Sequence, residues 1–345
     1  MSAVGDETLH PDTGTKIGTE PGTEPGTDTV TDAGTPGAPV GPMHDEGRYE
    51  SLPTSTRVLS NAKTYFLVTK PRIIELLLVT TVPSMVIAAQ GWPGTSLVLH
   101  TLLGGGLAAG SANAINNWFD RDVDAAMART SKRPTAADTI PPRNALIFGV
   151  ILGFLGFGWL TVFTNLTAAL LATSAIFFYV FVYTMWLKRR TSQAVVIGGA
   201  AGCVPVLTGW AAVPGTSLAD PVPWLLFALI FWWTPPHFWA LALKYKDDYA
   251  AAGLPMLPVT FGFAEATRHI LLYSYLLLSI VAMYAAVTGF SLTFAVPGFG
   301  LTLGFIAMAH RLRRHQTVPH AMQLFHYSNS YLALLFVAAA LDAAA

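Results

Sequence analysis

Cysteine, charge and carboxylates are all scarce in this sequence. Cys203 is the single cysteine, which excludes a disulfide within the chain and a metal site built from cysteine pairs, so we expect a packed thiol. Charged residues make up 12% of the chain and hydrophobic residues 52%, with a mean hydropathy of +0.48. Because soluble domains carry about 25% charged residues, the composition predicts an integral membrane protein. No nucleic-acid partner is expected.

The carboxylates are also unevenly spread along the chain. Ten of the twenty acidic residues lie within the first 50 residues. Five of the other ten form two clusters, one of Asp120, Asp122 and Asp124 and one of Asp247 and Asp248. Charge that is concentrated in this way within an apolar chain indicates a functional site.

The first 56 residues lack any long apolar run. Residues 12–42 read DTGTKIGTEPGTEPGTDTVTDAGTPGAPVGP, which cannot bury enough apolar surface to offset the entropy lost on ordering. We therefore predict a disordered tail over residues 1–56 and a membrane domain over 57–345. A secretory signal would need a basic start and an apolar run of about 7–15 residues, and neither is present. We therefore expect the later apolar helices to direct insertion of the chain into the membrane.

Apolar runs of about 17–25 residues recur after the tail, and this length crosses a hydrocarbon core about 30 Å thick. The predicted fold class is therefore all-α, a polytopic membrane protein with nine transmembrane helices. The predicted spans are 73–90, 97–117, 144–163, 166–187, 193–212, 223–243, 269–288, 291–309 and 324–341.

Basic residues alternate from one connection to the next. Lys and Arg precede the first predicted span and follow the second, fourth, sixth and eighth, whereas QGWPGTS, TNLT, VPGTSLADPVP and TGFS contain neither. Because basic loops stay on the cytoplasmic side, we expect a multi-pass protein of the cell membrane. Its N-terminus and long loops are predicted to be cytoplasmic and its C-terminus outside.

Acidic residues follow the second predicted span in NNWFDRDVDAAMARTSKRP, residues 116–134. On one helix, Asn116, Asp120 and Asp124 form a single stripe with about 6 Å of rise between neighbours. Two carboxylates at that spacing repel each other, which indicates a cation between them. Mg²⁺ takes one or two carboxylates together with substrate phosphates, so we predict a magnesium site. The alternative is a helix end in solvent, with Arg121 and Arg129 neutralising the acids.

A second acidic cluster follows the sixth predicted span in LKYKDDYAAAGLPMLP, residues 243–258. It is predicted on the same side of the membrane, so the two clusters could face each other across a cavity. Solvated surface charge is the alternative for each basic residue nearby, but the combination predicts a diphosphate bridged by metal and held by cations. The basic residues that accompany the two clusters are Arg129, Lys132, Arg133, Lys244 and Lys246.

These segments resemble a known family. Residues 116–134 carry the Asn-x-x-x-Asp-x-x-x-Asp motif of the UbiA-type intramembrane prenyltransferases. The wider form of that motif, with TPPHFWALALKYKDDYAAAGLPMLPV at residues 234–259, resembles the haem-directed branch of the family, the protohaem IX farnesyltransferases. The resemblance spans residues 60–340. It implies that residues 57–345 form a prenyltransferase domain, with a ring of helices around a central cavity.

The resemblance also implies a reaction. A farnesyl group would pass from farnesyl diphosphate to a vinyl group of haem b, with Mg²⁺ as cofactor, and addition of water would complete the hydroxyethylfarnesyl substituent of haem O. No side-chain nucleophile is required, and a partner that receives haem O is expected. The residues predicted to be catalytic are Asn116, Asp120, Asp124, Arg133, Lys244 and Asp248, and those predicted to bind the substrates are His237, Arg129, Lys132, Lys246 and His326.

One position departs from the wider family. Its second motif has the form Asp-x-x-x-Asp, whereas the corresponding residues here run from Lys244 to Asp248, with Lys in the first position. The resemblance makes this change a feature of the haem-directed branch. Asp248 is then the expected metal ligand of the second cluster, beside Asn116, Asp120 and Asp124 in the first. Asp247 is expected to bond a loop or a Lys.

His237 lies within the sixth predicted span, directly after Pro235 and Pro236, where the preceding turn loses backbone hydrogen bonds and a kink is expected. Because a His at membrane depth is usually paired or functional, we predict that it contacts haem. The alternative is a His bonded to a carbonyl that the prolines leave free. His326, near the start of the ninth span, is predicted to be a second haem contact.

Two other functions fit part of the pattern. A UbiA-type enzyme with a quinone or chlorophyll precursor as acceptor would keep NNWFDRDVD but is not expected to carry TPPHFWALALKYKDDY. A secondary transporter also places acids and broken helices in a bundle. Its acids belong near the middle of the membrane, whereas the acids here follow the ends of predicted spans.

Overall fold

Helices account for all the regular secondary structure that the structure describes. It is a computed structural model that describes residues 62–345, without the side chains of residues 72, 73 and 75–78. The tail predicted over residues 1–56 lies outside the described residues and stays a prediction.

Residues 62–345 contain nine long helices, which we label α1 to α9, and each overlaps one predicted span. Three short helices lie between them, Arg121–Ala126 after α2 and Lys246–Ala251 and Leu257–Thr260 after α6. The long helices are α1 Pro71–Ala89, α2 Thr95–Phe119, α3 Pro142–Phe163, α4 Leu166–Phe177 with its π-helical continuation Phe178–Leu187, α5 in two parts Ala194–Gly198 and Ala200–Ala212, α6 Pro221–Lys244, α7 Gly262–Val287, α8 Leu292–His315 and α9 Val318–Ala344.

Seven of these helices, α3 to α9, are long and apolar enough to cross a membrane, counted over the described residues. Within the part of α1 that this count covers, residues 79–89 form an apolar helix. The second half of α2 contains the polar residues Ser111, Asn113, Asn116 and Asn117, which lower the mean hydropathy of this helix. All four side chains are buried. The all-helical, multi-pass membrane architecture is confirmed, and the number nine stays a prediction.

The helices pack in chain order and close on themselves. Each long helix contacts the next one along the chain, and α9 returns to contact α1. Additional contacts join α1 to α5 and α6 to α9. Two small pockets lie in the described part, one of about 240 Å³ between α1 and α9 and one of about 210 Å³ beside Asp122 and Arg189. Asn116, Asp120 and Asp124 line neither pocket, so the central cavity stays a prediction.

Glycines allow α2 and α3 to approach closely. A Cβ added at Gly149 would lie 2.8 Å from the Ile115 side chain and 3.2 Å from its backbone nitrogen. A Cβ at Gly156 would lie 3.0 Å from the backbone nitrogen of Ala108. Small residues at helix contacts are typical of membrane bundles, where tight packing replaces hydrophobic burial. The end of α2 that carries Asn116 is therefore held in place along α3.

Candidate active site

The segment before α1 is held along α2 by two buried asparagine side chains. Asn113 Nδ2 donates a hydrogen bond of 2.9 Å to one backbone carbonyl of residues 62–70, and Asn117 Nδ2 donates one of 2.6 Å to another. Lys70 follows with a φ of 55°, a left-handed conformation that costs about 1–2 kcal/mol for a residue with a side chain. The result is that Lys70 Nζ donates to Asn116 Oδ1 at 2.5 Å.

Asp120 is fully buried at the end of α2. Its Oδ2 accepts a hydrogen bond of 2.7 Å from Asn116 Nδ2, which also donates to Thr184 Oγ1 at 3.0 Å. The same Oδ2 forms a direct ion pair with Lys188. Thr184 belongs to the π-helical part of α4 and Lys188 follows it directly. Single π-helical turns are frequent at functional sites, and this one ends beside the predicted metal ligands.

Asp124 is also fully buried and has a different cation as its partner. Arg133 Nη1 lies 2.7 and 2.8 Å from its two carboxylate oxygens. Thr130 Oγ1 donates to the backbone carbonyl of Asp124 at 2.9 Å, which ties the following loop to the short helix Arg121–Ala126. Each buried carboxylate of this cluster therefore has a cation of its own.

The motif does not lie on one continuous helix, because α2 ends at Phe119 and a separate short helix carries Asp124. The spacing survives the break, since Asp120 N donates to Asn116 O at 2.9 Å and Asp124 N donates to Asp120 O at 2.7 Å. The solvent alternative also fails: Asp120 and Asp124 are buried, and Arg121 instead donates to a backbone carbonyl at 2.8 Å.

One carboxylate oxygen at the centre of the site has no hydrogen-bond donor among the described residues. Asp120 Oδ1 is buried and has no hydrogen-bond partner in the described part of the chain, and Arg189 Nη2 lies 3.6 Å away. A buried acceptor without a partner costs about 1–3 kcal/mol, and native structures keep few of them. Lys70, Arg133 and Lys188 bring three positive charges to the two buried carboxylates. The excess of positive charge suits an anion, and the free oxygen suits a metal ion.

Burial also changes the acid–base properties of Lys70. Burial and, next in size, the positive charge of Arg133 hold the pKa of the Lys70 ammonium well below its usual value, although Asp124 and Asp120 act in the opposite direction. The protein alone therefore does not provide enough negative charge or solvation to stabilise the ammonium of this side chain fully. The negative charge of an anion bound beside Lys70 would stabilise its ammonium.

Asp122 binds Arg189, whose Nη2 also lies 3.6 Å from Asp120 Oδ1. Two hydrogen bonds of 2.7 Å join the carboxylate to the guanidinium, which also lies 5.0 Å from the centre of the Phe119 ring. This contact with Arg189 lowers the pKa of Asp122. The Asp122 side chain is 61% exposed, so the pair is a surface contact between the loops that follow α2 and α4.

The second cluster meets the first through aromatic rings. Arg129 lies 5.1 Å from the centre of the Tyr245 ring and 3.4 Å from the hydroxyl of Tyr249. Tyr249 belongs to the short helix Lys246–Ala251 and is buried with Val123 and other apolar residues. The loops after α2 and α6 thus lie together, and the cavity expected between the two acidic clusters stays a prediction.

The charged residues of the second cluster are more open. Lys244 and Asp247 are exposed, and Lys246 and Asp248 are half-buried. The structure shows no ion pair for Asp247 or Asp248 within residues 62–345, and in the same range no three His, Cys, Asp or Glu side chains are grouped to hold a metal. The metal-binding role of Asp248 stays a prediction, as do the substrate contacts of Lys244, Lys246 and the exposed Lys132.

His237 is enclosed by side chains of α6 and α9. Its ring stacks on Trp233 with centroids 4.2 Å apart and on Phe325 with centroids 4.7 Å apart. Its Nδ1 lies 2.6 Å from Ser328 Oγ, so the ring is bonded to a hydroxyl and not to a carbonyl that Pro235 or Pro236 leaves free. Its contact with haem stays a prediction.

His326 contacts the same phenylalanine. Its ring meets Phe325 edge to face at 5.4 Å, and the side chain is exposed. Phe325 is therefore in contact with both histidine rings. A second haem contact by His326 stays a prediction.

Sequence reasoning missed four side chains of the site, Lys70, Thr184, Lys188 and Ser328. The sequence showed Lys70 and Lys188 only as two of the basic residues in the connections between spans, with nothing to distinguish them from the others. Their positions, directly before Pro71 and directly after an apolar run, were the available signal. Thr184 and Ser328 lie inside apolar spans, where a buried hydroxyl carries no distinctive pattern.

Comparison with known proteins identifies the family. The family model "UbiA prenyltransferase family" matches residues 77–330, well over half of the chain. This chain belongs to the UbiA prenyltransferase family. The UbiA match contains all three residues of the buried acidic site, Asn116, Asp120 and Asp124.

Relatives of this UbiA protein are similar over most of its length. Protoheme IX farnesyltransferase 1 of Saccharopolyspora erythraea is 50% identical over 81% of this chain and 89% of the relative. Protoheme IX farnesyltransferase of Mycobacterium avium is 47% identical over 88% of this chain and 98% of the relative.

A solved structure shows the same UbiA fold. The structure of a UbiA homolog from Archaeoglobus fulgidus bound to DMAPP and Mg²⁺ aligns with a TM-score of 0.64 over 81% of this chain and 99% of that one. The two sequences are 17% identical. The likeness shows the fold, and the site residues of this chain rest on its own geometry.

Proposed function

We propose that this UbiA prenyltransferase transfers a farnesyl group from farnesyl diphosphate to a vinyl group of haem b and so makes haem O. Relatives that carry the name protoheme IX farnesyltransferase share about half of its residues over most of the chain. The structural observation that carries the proposal is the buried acidic pair, with one free carboxylate oxygen among several cations.

The residues at this site fit a magnesium ion. Asn116, Asp120 and Asp124 would hold it, since Asp120 Oδ1 is buried without a hydrogen bond and two carboxylates with phosphate oxygens are a usual Mg²⁺ environment. When bound, the ion neutralises charge that develops on the leaving diphosphate. Asp248 is the candidate for a further ligand, because its short helix lies against the loop of the first cluster.

The cations of the site act on the diphosphate. Lys70, Arg133 and Lys188 now bond Asn116 and the two buried carboxylates, and they would redirect hydrogen bonds to diphosphate oxygens when substrate and metal enter. The bond between farnesyl C1 and oxygen breaks with its electron pair left on the diphosphate. Donors placed around that oxygen stabilise the charge as it forms, which is the largest contribution expected from such a site.

The acceptor half of the reaction needs a group that orients haem. The vinyl π electrons form the new bond to the allylic cation, hydroxide from water adds to the cation left beside the porphyrin, and one proton is released. His237 is our candidate for the group that holds haem b, since its ring is fixed between Trp233 and Phe325. We extend the haem-binding proposal to His326, and we assign substrate contacts to Arg129, Lys132, Lys244 and Lys246.

We further propose that the N-terminus and the catalytic loops are cytoplasmic and that the C-terminus is outside. Lys70, Arg133 and Lys188 meet at one site, as the alternation of basic connections requires. A partner that takes haem O from the enzyme completes the proposal.

Product analysis tests the function directly. Membranes that contain the full chain are incubated with haem b, farnesyl diphosphate and Mg²⁺, and the porphyrins are analysed by mass spectrometry. We expect a haem whose mass increases by one farnesyl group and one hydroxyl group. Chelation of Mg²⁺ is expected to stop its formation and renewed Mg²⁺ to restore it. Prenylation of a quinone precursor instead of haem b would overturn the proposed acceptor.

A further inference from the structure

The hydroxyl proton of Ser328 has one destination. Ser328 Oγ lies 2.6 Å from the carbonyl oxygen of Phe325 and 2.6 Å from Nδ1 of His237. A carbonyl oxygen only accepts hydrogen bonds, and a serine hydroxyl has one proton to give. The hydroxyl therefore donates to Phe325 O and must accept from its other neighbour. It follows that Nδ1 of His237 carries a proton.

The same contacts leave the other ring nitrogen available. In a neutral imidazole with a proton on Nδ1, Nε2 has the free lone pair. Nε2 accepts no hydrogen bond from the residues that the structure describes, and it is absent from the buried polar atoms that lack a partner. His237 is half-buried, and its Nε2 keeps a lone pair that no described residue uses.

Several contacts keep Ser328 and the ring in this arrangement. Trp233 Nε1 donates to the backbone carbonyl of Ser328 at 2.9 Å, while the Trp233 ring stacks on His237 with an angle of 20° between planes. Phe325 stacks on the opposite face at 28°. One tryptophan thus fixes both partners of the hydrogen bond, which restricts rotation of the imidazole as well as its tautomer.

We propose that Ser328 is a positioning residue that holds His237 with its proton on Nδ1, so that Nε2 offers a lone pair to the iron of haem b. This inference rests on the proposed function. It adds that Nε2 of His237 is the atom that recognises haem b, the acceptor. Histidines that bind metals usually donate the other ring N–H to a neighbour, and loss of that neighbour typically weakens binding about 10–100-fold. The site therefore distinguishes iron porphyrin from metal-free porphyrin.

Two titrations of the full chain in lipid nanodiscs test the inference. Haem b is titrated against the unsubstituted protein, Ser328→Ala and His237→Ala, with affinity and absorption spectrum recorded together. We expect both variants to bind haem b about tenfold more weakly or worse and to change the spectrum, because axial ligation sets haem electronics. Metal-free protoporphyrin IX, which has no iron to ligate, is expected to bind all three proteins equally. Binding of farnesyl diphosphate with Mg²⁺ checks that each variant is folded.

The outcomes separate this inference from the proposed function. If His237→Ala lowers haem affinity and Ser328→Ala leaves affinity and spectrum unchanged, the positioning role of Ser328 is wrong. If His237→Ala leaves haem binding unchanged while haem O is still made, His237 does not hold the acceptor, although the prenyl transfer stands. Nitrogen-15 NMR of the unsubstituted protein, labelled at histidine, needs no variant: a His237 proton found on Nε2 overturns the inference by itself.

Discussion

The two acidic clusters differ in how completely the fold neutralises them. In the first, Asp120 and Asp124 are fully buried and each is paired with a cation. In the second, Asp247 is exposed and Asp248 half-buried, and neither has an ion pair in the described part of the chain. Isolated charge is costly to bury, so the first cluster must be assembled before substrate arrives, whereas the second can remain open until then.

This contrast assigns different tasks to the two loops. The first cluster is paired with cations in the absence of substrate, so under the proposed function it is a preorganised site. The loop of the second cluster contacts the loop of the first through Arg129 and two tyrosine rings. Variants of each cluster should therefore differ in the size of their effects.

The largest effect is expected at the first cluster. Asp120→Asn keeps the shape of the side chain but removes the charge that faces Lys188 and the metal, and we expect turnover to fall about a thousandfold, or several kcal/mol of transition-state stabilisation. Asp124→Ala is expected to act similarly. Haem O formation is measured at equal amounts of membrane-inserted protein, with Asp122→Asn as the matched control. Near-normal turnover by Asp120→Asn contradicts the assignment.

Stability provides the next test of the buried pair. Lys188→Met leaves the carboxylate of Asp120 buried without its partner, which is expected to cost about 3–5 kcal/mol. Lys188→Met combined with Asp120→Asn removes both charges, so we expect it to recover more than half of that loss. Thermal unfolding of the purified proteins in detergent measures both. Additive losses in the double variant would show that the two side chains do not compensate each other.

A smaller loss is expected in the second cluster. If Asp248 becomes a ligand only when substrate is bound, Asp248→Asn lowers kcat/KM for farnesyl diphosphate about tenfold, and Asp247→Asn changes it less than twofold. Steady-state kinetics at varied Mg²⁺ measure both. An Asp248→Asn loss as large as that of Asp120→Asn would remove the distinction between the clusters. Equal effects of Asp247→Asn and Asp248→Asn would reject Asp248 as the ligand.

The pH dependence of substrate binding should report on Lys70. Burial lowers the pKa of this ammonium, so in the free enzyme it loses its proton at a lower pH than an exposed lysine. Because the diphosphate binds the charged form, affinity for farnesyl diphosphate is expected to fall several-fold as pH rises through that pKa. Lys70→Arg keeps its charge and should flatten the dependence. Titrations at several pH values compare the two proteins, and identical profiles exclude Lys70 as the titrating group.

The smallest effect is expected at the exposed pair of Asp122 and Arg189. Exposed ion pairs contribute about 1 kcal/mol or less, because water and salt screen them. Asp122→Asn should therefore lower the unfolding temperature only slightly and change turnover less than about threefold. A loss comparable to that of Asp120→Asn would mean that Asp122 belongs to the buried site.

The sequence predicted the positions of the helices well because apolar runs of fixed length record membrane spans directly. It also predicted a site at Asn116, Asp120 and Asp124, and the structure keeps these three residues linked by backbone hydrogen bonds across the break between α2 and the next helix. It could not show which cations reach those carboxylates, since Lys70 and Lys188 come from distant connections and meet only after α1 and α4 pack beside α2. Nor could it show that His237 is bonded to Ser328, 91 residues away.

The hydrogen bonds from Asn113 and Asn117 of α2 to residues 62–70 set a limit for shortening the protein from its N-terminus. A truncation that removes the whole of this segment would remove Lys70 and also the carbonyl groups that accept from Asn113 and Asn117. Two amide groups buried inside α2 would then lack acceptors, at about 1–3 kcal/mol each. For anyone who designs a shorter or fused version for expression, residues 62–70 must be treated as part of the enzyme and not as a linker.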